Sequence, residues 1–152
     1  MNGPPRFDIE LPAPRVEPTP RWVRVRAGDV WVADSRRCLL LAWYGRDMLP
    51  TYCFPAQDVR TELLSPSLDA GAGLAVQHDL RVGGDLLRGA AQMFLQPPAP
   101  LAALAGHWSF TWDGRLSWFE ESLEVHVHAR DPSKRIDACR ASATSASSSA
   151  AS

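Results

Sequence analysis

Alternating apolar and polar residues on both sides of a glycine constrain the fold of this chain more than any other feature. The stretch WVRVRAGDVWVAD alternates throughout and is interrupted only at the Gly28 turn. Residues two apart on a strand project to the same face, so Val23 and Val25 would face the core and Arg24 and Arg26 the solvent. The pattern predicts a β-hairpin that turns at Gly28.

Most of the remaining signals are also those of strands. CLLLAWY and TYCF have strand length, and LAVQHDLRV and DLLRGAAQMFL form a second predicted hairpin around Gly83. A last alternating strand carries Leu123 and Val125. Residues 56–64 follow a proline and predict a short helix, and PAPLAALAGH predicts another that ends at Gly106. The chain is therefore predicted to be mainly β, with one or two short helices.

Composition sets the expected boundaries of the domain. Residues 1–20 are rich in proline and predict an extended leader, and residues 138–152 are almost entirely Ala and Ser and predict a disordered tail. A single domain is expected over residues 21–137. Its tryptophans and phenylalanines are large enough to build a core without a metal or a disulfide.

Charge and cysteine content exclude several classes of function. The 16 basic and 17 acidic residues nearly cancel, so neither nucleic acid nor a membrane is an expected partner. Cys38, Cys53 and Cys139 form no Cys-x-x-Cys pair, which argues against a thiolate zinc site and a disulfide framework. No cofactor is expected. The N-terminus lacks the apolar region of a signal peptide, and a reducing cytoplasmic setting is expected.

Two histidines raise the possibility of chemistry near the end of the predicted domain. His126 and His128 would share one strand face with Glu124, and such a set could bind a divalent cation. An enzyme that uses Glu120 with the two histidines is one alternative. The other interpretation places the histidines on the solvent face, with the intervening valines facing inward, and it is favoured because no second shell or pocket is evident.

A nucleophilic cysteine is the weaker catalytic alternative. Cys53 lies in the apolar stretch TYCFP, where a free cysteine is usually a buried hydrophobe. No catalytic or metal-binding residue is assigned from the sequence.

Three motifs in order resemble the bacterial family called domain of unknown function 427. They are Gly-x-x-x-Val-Ala-Asp-Ser at residues 28–35, Tyr-x-x-Pro-x-x-Asp-Val-Arg at residues 52–60, and Gly-His-x-x-Phe-x-Trp at residues 106–112. The resemblance implies a β-tent fold, in which two antiparallel sheets meet at an angle. The family has been labelled nucleotidyltransferase-like, but this chain has no carboxylate pair in a Gly-Ser context to hold the two metals of such chemistry.

The stretch HARDPSKRID is similar to the junction before a second copy of the domain in two-copy relatives. Because the junction is followed by the Ala- and Ser-rich residues 138–152, a second copy is not expected here. The resemblance implies that the face normally covered by that copy could be exposed, and self-association as a homodimer is one expected consequence.

The expected function is small-molecule binding in an aromatic-lined pocket at the sheet junction, without catalysis. Aromatic residues are numerous enough that some should line a pocket as well as fill the core. The candidate ligand-binding residues are Tyr52, Asp58, Arg60, Trp112 and Trp118. Protein–protein association and the enzyme described above are the alternatives.

Overall fold

The computed structural model describes residues 13–42, 49–68, 74–126 and 129. Eleven strands run through these ranges. They are β1 (Arg15–Pro18), β2 (Val23–Ala27), β3 (Val30–Ser35), β4 (Leu39–Ala42), β5 (Thr51–Cys53), β6 (Leu64–Pro66), β7 (Ala75–Val82), β8 (Asp85–Phe94), β9 (Trp108–Phe110), β10 (Ser117–Glu120) and β11 (Leu123–Val125). Three short 3₁₀ turns lie between strands, at Ala56–Asp58, Thr61–Leu63 and Ala102–Leu104. The predicted mainly β fold is confirmed.

The strands form three antiparallel sheets. Their orders are β1-β4-β5, β11-β10-β2-β3 and β6-β7-β8-β9. The first and third sheets are joined by one bridge, in which Phe54 and Trp108 exchange backbone hydrogen bonds of 2.7 and 2.8 Å. The expectation was two sheets. The difference arises because β5 reaches β9 only through this bridge, so the pairing stops short of one continuous sheet.

Both predicted hairpins are present. β2 pairs with β3 across the Gly28 turn, and β7 pairs with β8 across the Gly83 turn. Gly28 and Gly83 have φ values of 56° and 59°, which residues with a side chain rarely adopt. Val23 and Val25 are fully buried while Arg24 and Arg26 are half-buried on the opposite face, as the alternation predicts.

The predicted helix over residues 56–64 is wrong as a single element. Two 3₁₀ turns flank an extended Val59, which bridges Ala33 of β3, and Arg60 N donates to Val32 O at 2.9 Å. The edge of β3 offers backbone groups that need partners, and these draw the segment out of a helix.

Part of the predicted leader is a strand. Residues 15–18 form β1, which pairs with β4 at the edge of the first sheet, and Val16 packs against a buried apolar cluster. A proline-containing strand is tolerated there because one side of an edge strand needs no backbone donor. The predicted tail, residues 138–152, lies outside the described residues. No helix in the described ranges is long and apolar enough to cross a membrane.

The main apolar core takes side chains from all three sheets. Its buried members include Val23 and Val25 of β2, Tyr52 of β5, Leu80 of β7 and Trp118 of β10. The sheet junction is therefore where the buried aromatic side chains of this core meet, which are Tyr52, Phe54, Trp108, Phe110 and Trp118.

Candidate ligand site at the sheet junction

Two stacked indoles form the centre of the candidate site. The rings of Trp112 and Trp118 lie 3.9 Å apart between centroids and 8° from parallel. Trp118 is buried, whereas Trp112 is only half-buried. Each ring is fixed by its N–H group, since Trp112 Nε1 donates to Thr51 Oγ1 at 3.1 Å and Trp118 Nε1 donates to Thr111 O at 2.9 Å. The pair is thus a rigid platform with one indole nearer to solvent.

Further aromatic rings support the platform from the core side. Tyr52, Phe54 and Phe110 have ring centroids 6.3, 5.9 and 6.5 Å from that of Trp118. Phe54 and Phe110 also contact each other edge to face at 5.7 Å. Aromatic contacts at these separations add to the hydrophobic gain of burial.

A small pocket adjoins the stacked indoles. Its volume is about 100 Å³, and its lining residues are Trp112, Gly114, Leu116, Ser117, Trp118, Glu124, Val125 and His126. One water molecule occupies about 30 Å³ of the liquid, so the pocket has room for only a few heavy atoms. It can hold a terminal group of a ligand but not a whole drug-sized molecule.

A buried polar cluster lies on the other side of Tyr52. The Tyr52 hydroxyl and Arg21 Nη1 both donate to Glu120 Oε2, and Arg21 Nη1 also donates to the Tyr52 hydroxyl at 2.6 Å. The Glu120 side chain is completely buried, and that of Arg21 is 10% exposed. A buried carboxylate is stable only when it is paired and hydrogen-bonded, and Glu120 meets that condition.

The cluster shifts the titration of its two donors. Burial, followed by the hydrogen bond to Glu120, raises the pKa of Tyr52 well above its usual range. Burial alone would lower the pKa of Arg21, but Tyr52 and Glu120 outweigh it and the net change is upward. Both groups therefore stay protonated as donors at neutral pH.

Three of the five predicted ligand-binding residues come together, and two lie elsewhere. Tyr52, Trp112 and Trp118 belong to the aromatic cluster. Asp58 instead accepts hydrogen bonds from Ser35 Oγ at 2.6 Å and Arg37 Nη2 at 2.9 Å. Burial opposes the change, but these bonds together lower the pKa of Asp58.

Arg60, the fifth predicted residue, pairs with Glu62 at 2.8 Å, and both side chains are more than half exposed. The sequence places Arg60 and Asp58 on the predicted helix over residues 56–64, which was expected to cap the sheets, and that helix is absent. The Arg60 backbone is instead held at the edge of β3, as described above.

The residues of the alternative catalytic and metal-binding set do not lie together, since some are buried and others are exposed. Glu120 is buried on the same face of β10 as Trp118, and its partner on β11 is Leu123. Glu124 pairs with Phe119 on the opposite face, and Glu124 and His126 are exposed. His128 lies outside the described residues. In the described ranges, no group of three or more His, Cys, Asp and Glu residues is arranged to hold a metal ion.

The burial of the Cys53 thiol argues against the nucleophilic cysteine considered above. Cys53 is completely buried, and burial raises its pKa far above the usual range. Burial likewise raises the pKa of Cys38 to about 12. A catalytic thiol needs the opposite environment, which is partly exposed and electropositive.

Sequence reasoning missed Arg21 and the structural role of Glu120. One signal was available for Glu120, which lies two residues after Trp118 and so shares its strand face. An acid on the same strand face as a buried tryptophan is itself buried, and it then needs a cationic or hydrogen-bonding partner. Nothing in the local sequence identifies that partner as Arg21, 99 residues earlier in the chain.

Comparison with known proteins agrees with the sequence motifs and the fold. The family model described as domain of unknown function (DUF427) matches residues 15–122, which is more than half of the chain. The chain belongs to this family. The match begins at β1 and ends just after Glu120, so the family region includes the stacked indoles and the buried cluster. No curated protein matches the sequence.

Proposed function

We propose that this DUF427 domain binds a small molecule at the sheet junction, with Trp112 as the principal contact. The observation that supports the proposal is the half-buried Trp112 ring, held against buried Trp118 beside a pocket. A core tryptophan is normally enclosed by packing, whereas this one borders open space. A rigid ring of this kind contributes contact area at low entropic cost and binds flat or cationic groups well.

The pocket limits the form of the ligand. A terminal amide, ammonium or ring edge fits within a volume of about 100 Å³, and the rest of the molecule would lie outside. Ser117, Glu124 and His126 are the polar residues in the lining of the pocket. Binding without catalysis is proposed because Glu120 is already hydrogen-bonded to Tyr52 and Arg21.

A fluorescence titration against a library of small metabolites tests this function. We expect at least one compound to quench tryptophan emission, and Trp112→Ala to weaken its binding by about tenfold or more, which corresponds to ~1.4 kcal/mol. Leu95→Ala is the control, because it truncates an exposed apolar side chain that does not line the pocket. Equal affinity in Trp112→Ala, or no ligand in the whole library, would contradict the proposal.

The proposed setting is the bacterial cytoplasm. Cys38 and Cys53 are both free and buried, and free thiols suit a reducing compartment.

Self-association is a second candidate function, favoured by two exposed leucines, one in the third sheet and one just after its strand β6. Leu68 is fully exposed and Leu86 is 38% exposed, and both line a shallow depression of about 340 Å³. Exposed apolar groups of this kind favour contact with another protein surface. We expect light scattering to show a mass that rises with concentration, and Leu68→Ser with Leu86→Ser to abolish the rise. A constant monomer mass would remove this candidate.

A further inference from the structure

The outer face of the second sheet carries alternating arginines and aromatic rings. Trp22, Arg24 and Arg26 come from β2 and the residue before it, Trp31 from β3 and Phe119 from β10. Arg36 follows β3. The three rings belong to neither buried apolar cluster. We call these six residues the arginine–aromatic face.

The guanidinium groups of this face are stacked on its rings. Arg24 lies 3.9 Å from the Trp22 ring centroid, 4.5 Å from that of Trp31 and 5.4 Å from that of Phe119. Arg26 lies 5.2 and 5.1 Å from the Trp31 and Phe119 rings. Arg36 lies 4.7 Å from the Trp22 ring. The order of the groups across the face is therefore Arg36, Trp22, Arg24, the two rings of Trp31 and Phe119, and Arg26.

These cations keep their charge unpaired within the described part of the chain. None of the three arginines takes part in an ion pair there. Each guanidinium has five N–H donors, yet among the residues that the structure describes the one hydrogen bond found for the three groups runs from Arg24 Nη2 to Glu121 O at 3.2 Å. Stacking has already restricted the side chains, so binding an anion would cost less entropy than ordering free arginines.

The neighbouring acids have other contacts or lie to one side. Asp34 Oδ1 accepts the Trp22 indole N–H at 2.7 Å, and Glu121 Oε1 accepts the Trp22 backbone N–H at 3.2 Å. Glu124 lies opposite Phe119, on edge strand β11. The path over Arg36, Arg24 and Arg26 follows β2 and β3, away from β11, and it passes Asp34, the β3 partner of Arg24. Because the three acids offset the charge of the three arginines, the face attracts an anion only at short range. A moderate affinity for the anion is therefore expected.

We propose that the arginine–aromatic face docks single-stranded nucleic acid. Guanidinium groups match phosphate oxygens, and half-exposed rings on a sheet can stack unpaired bases. An acidic peptide would use the cations but gain little from Trp22, Trp31 and Phe119. The near-neutral total charge of the chain argued against nucleic acid, but total charge does not describe how charge is distributed on one face.

Fluorescence anisotropy of a labelled oligothymidine of about 12 nucleotides tests the proposal. We expect binding at low salt that weakens as salt rises, with a log–log slope of about −2, since each of three phosphate contacts contributes ~0.7. Arg36→Gln should weaken binding about fivefold at about 0.1 M salt and make the slope shallower by about 0.7. Arg81→Gln is the matched control, because it removes one exposed arginine from the third sheet.

A second variant separates stacking from charge. Phe119→Leu keeps every cation and should weaken binding without changing the salt slope, because stacking releases no counterions. Thermal melting of each variant verifies folding, and Arg36 is exposed enough that its replacement should leave the melt unchanged. Absence of binding at low salt would overturn the proposal, as would an equal loss in Arg81→Gln, tighter binding of duplex than of single strand, or equal competition by polyglutamate.

Discussion

Replacing Glu120 with alanine should lower the free energy of unfolding by about 3–5 kcal/mol, because it leaves the Arg21 guanidinium buried without its carboxylate. The effect is large because both side chains are removed from water, with exposures of 0% for Glu120 and 10% for Arg21. Urea denaturation monitored by tryptophan fluorescence measures the change. Glu124→Ala removes an exposed acid of β11 and should alter stability by no more than about 0.5 kcal/mol.

Smaller variants show whether the cluster acts as a unit. Tyr52→Phe removes one hydroxyl donor but keeps the Arg21–Glu120 pair, so a cost of about 1–2 kcal/mol is expected. Arg21→Ala combined with Glu120→Ala should cost less than the sum of the single changes, since neither then leaves a buried charge. Equal stabilities for Glu120→Ala and Glu124→Ala would show that the buried pair does not stabilise the fold.

The sequence predicts the strands well because each strand has a local pattern. Alternation placed Val23 and Val25 inside and Arg24 and Arg26 outside, and glycine positions marked both hairpin turns. These signals depend on residues close together in the chain. The cation–aromatic stacking on the outer face needs Trp31 and Phe119 from neighbouring strands, so the pattern of β2 alone could not reveal it.

The helix predicted over residues 56–64 is absent because the sequence pattern that predicts it is local, whereas the contact that decides its structure is with another strand. The spacing of Val59 and Leu63 suits a helix, but the segment lies beside β3, whose Val32 carbonyl takes the N–H of Arg60. A free strand edge outweighs the weak helix preference of a short segment.

The candidate site was predictable only in part. Aromatic excess identified Tyr52, Trp112 and Trp118, which the structure brings together. Asp58 and Arg60 were expected at the site because the helix predicted over residues 56–64 would cap the sheets, and that helix is absent. Without that helix, Asp58 pairs with Arg37, and Arg60 pairs with Glu62.

Trp118→Ala should produce the largest packing defect, about 3–5 kcal/mol, since it opens a cavity among the rings of Tyr52, Phe54 and Phe110. The same change removes the support under Trp112, so ligand binding at the sheet junction should be lost with it. Thermal denaturation and the fluorescence titration measure the two effects.

If Trp118→Ala fails to fold, Trp118→Phe still tests the argument. It retains an aromatic ring but loses the Nε1 hydrogen bond to Thr111 O, and a smaller loss of about 1–3 kcal/mol is expected. Trp31→Ala on the outer face is the control, because its half-buried ring lies outside both apolar clusters and should cost less than Trp118→Ala. A Trp118 variant as stable as the Trp31 variant would mean that the stacked pair is not part of the core, and Trp112 would then lack the rigid support on which its proposed role depends.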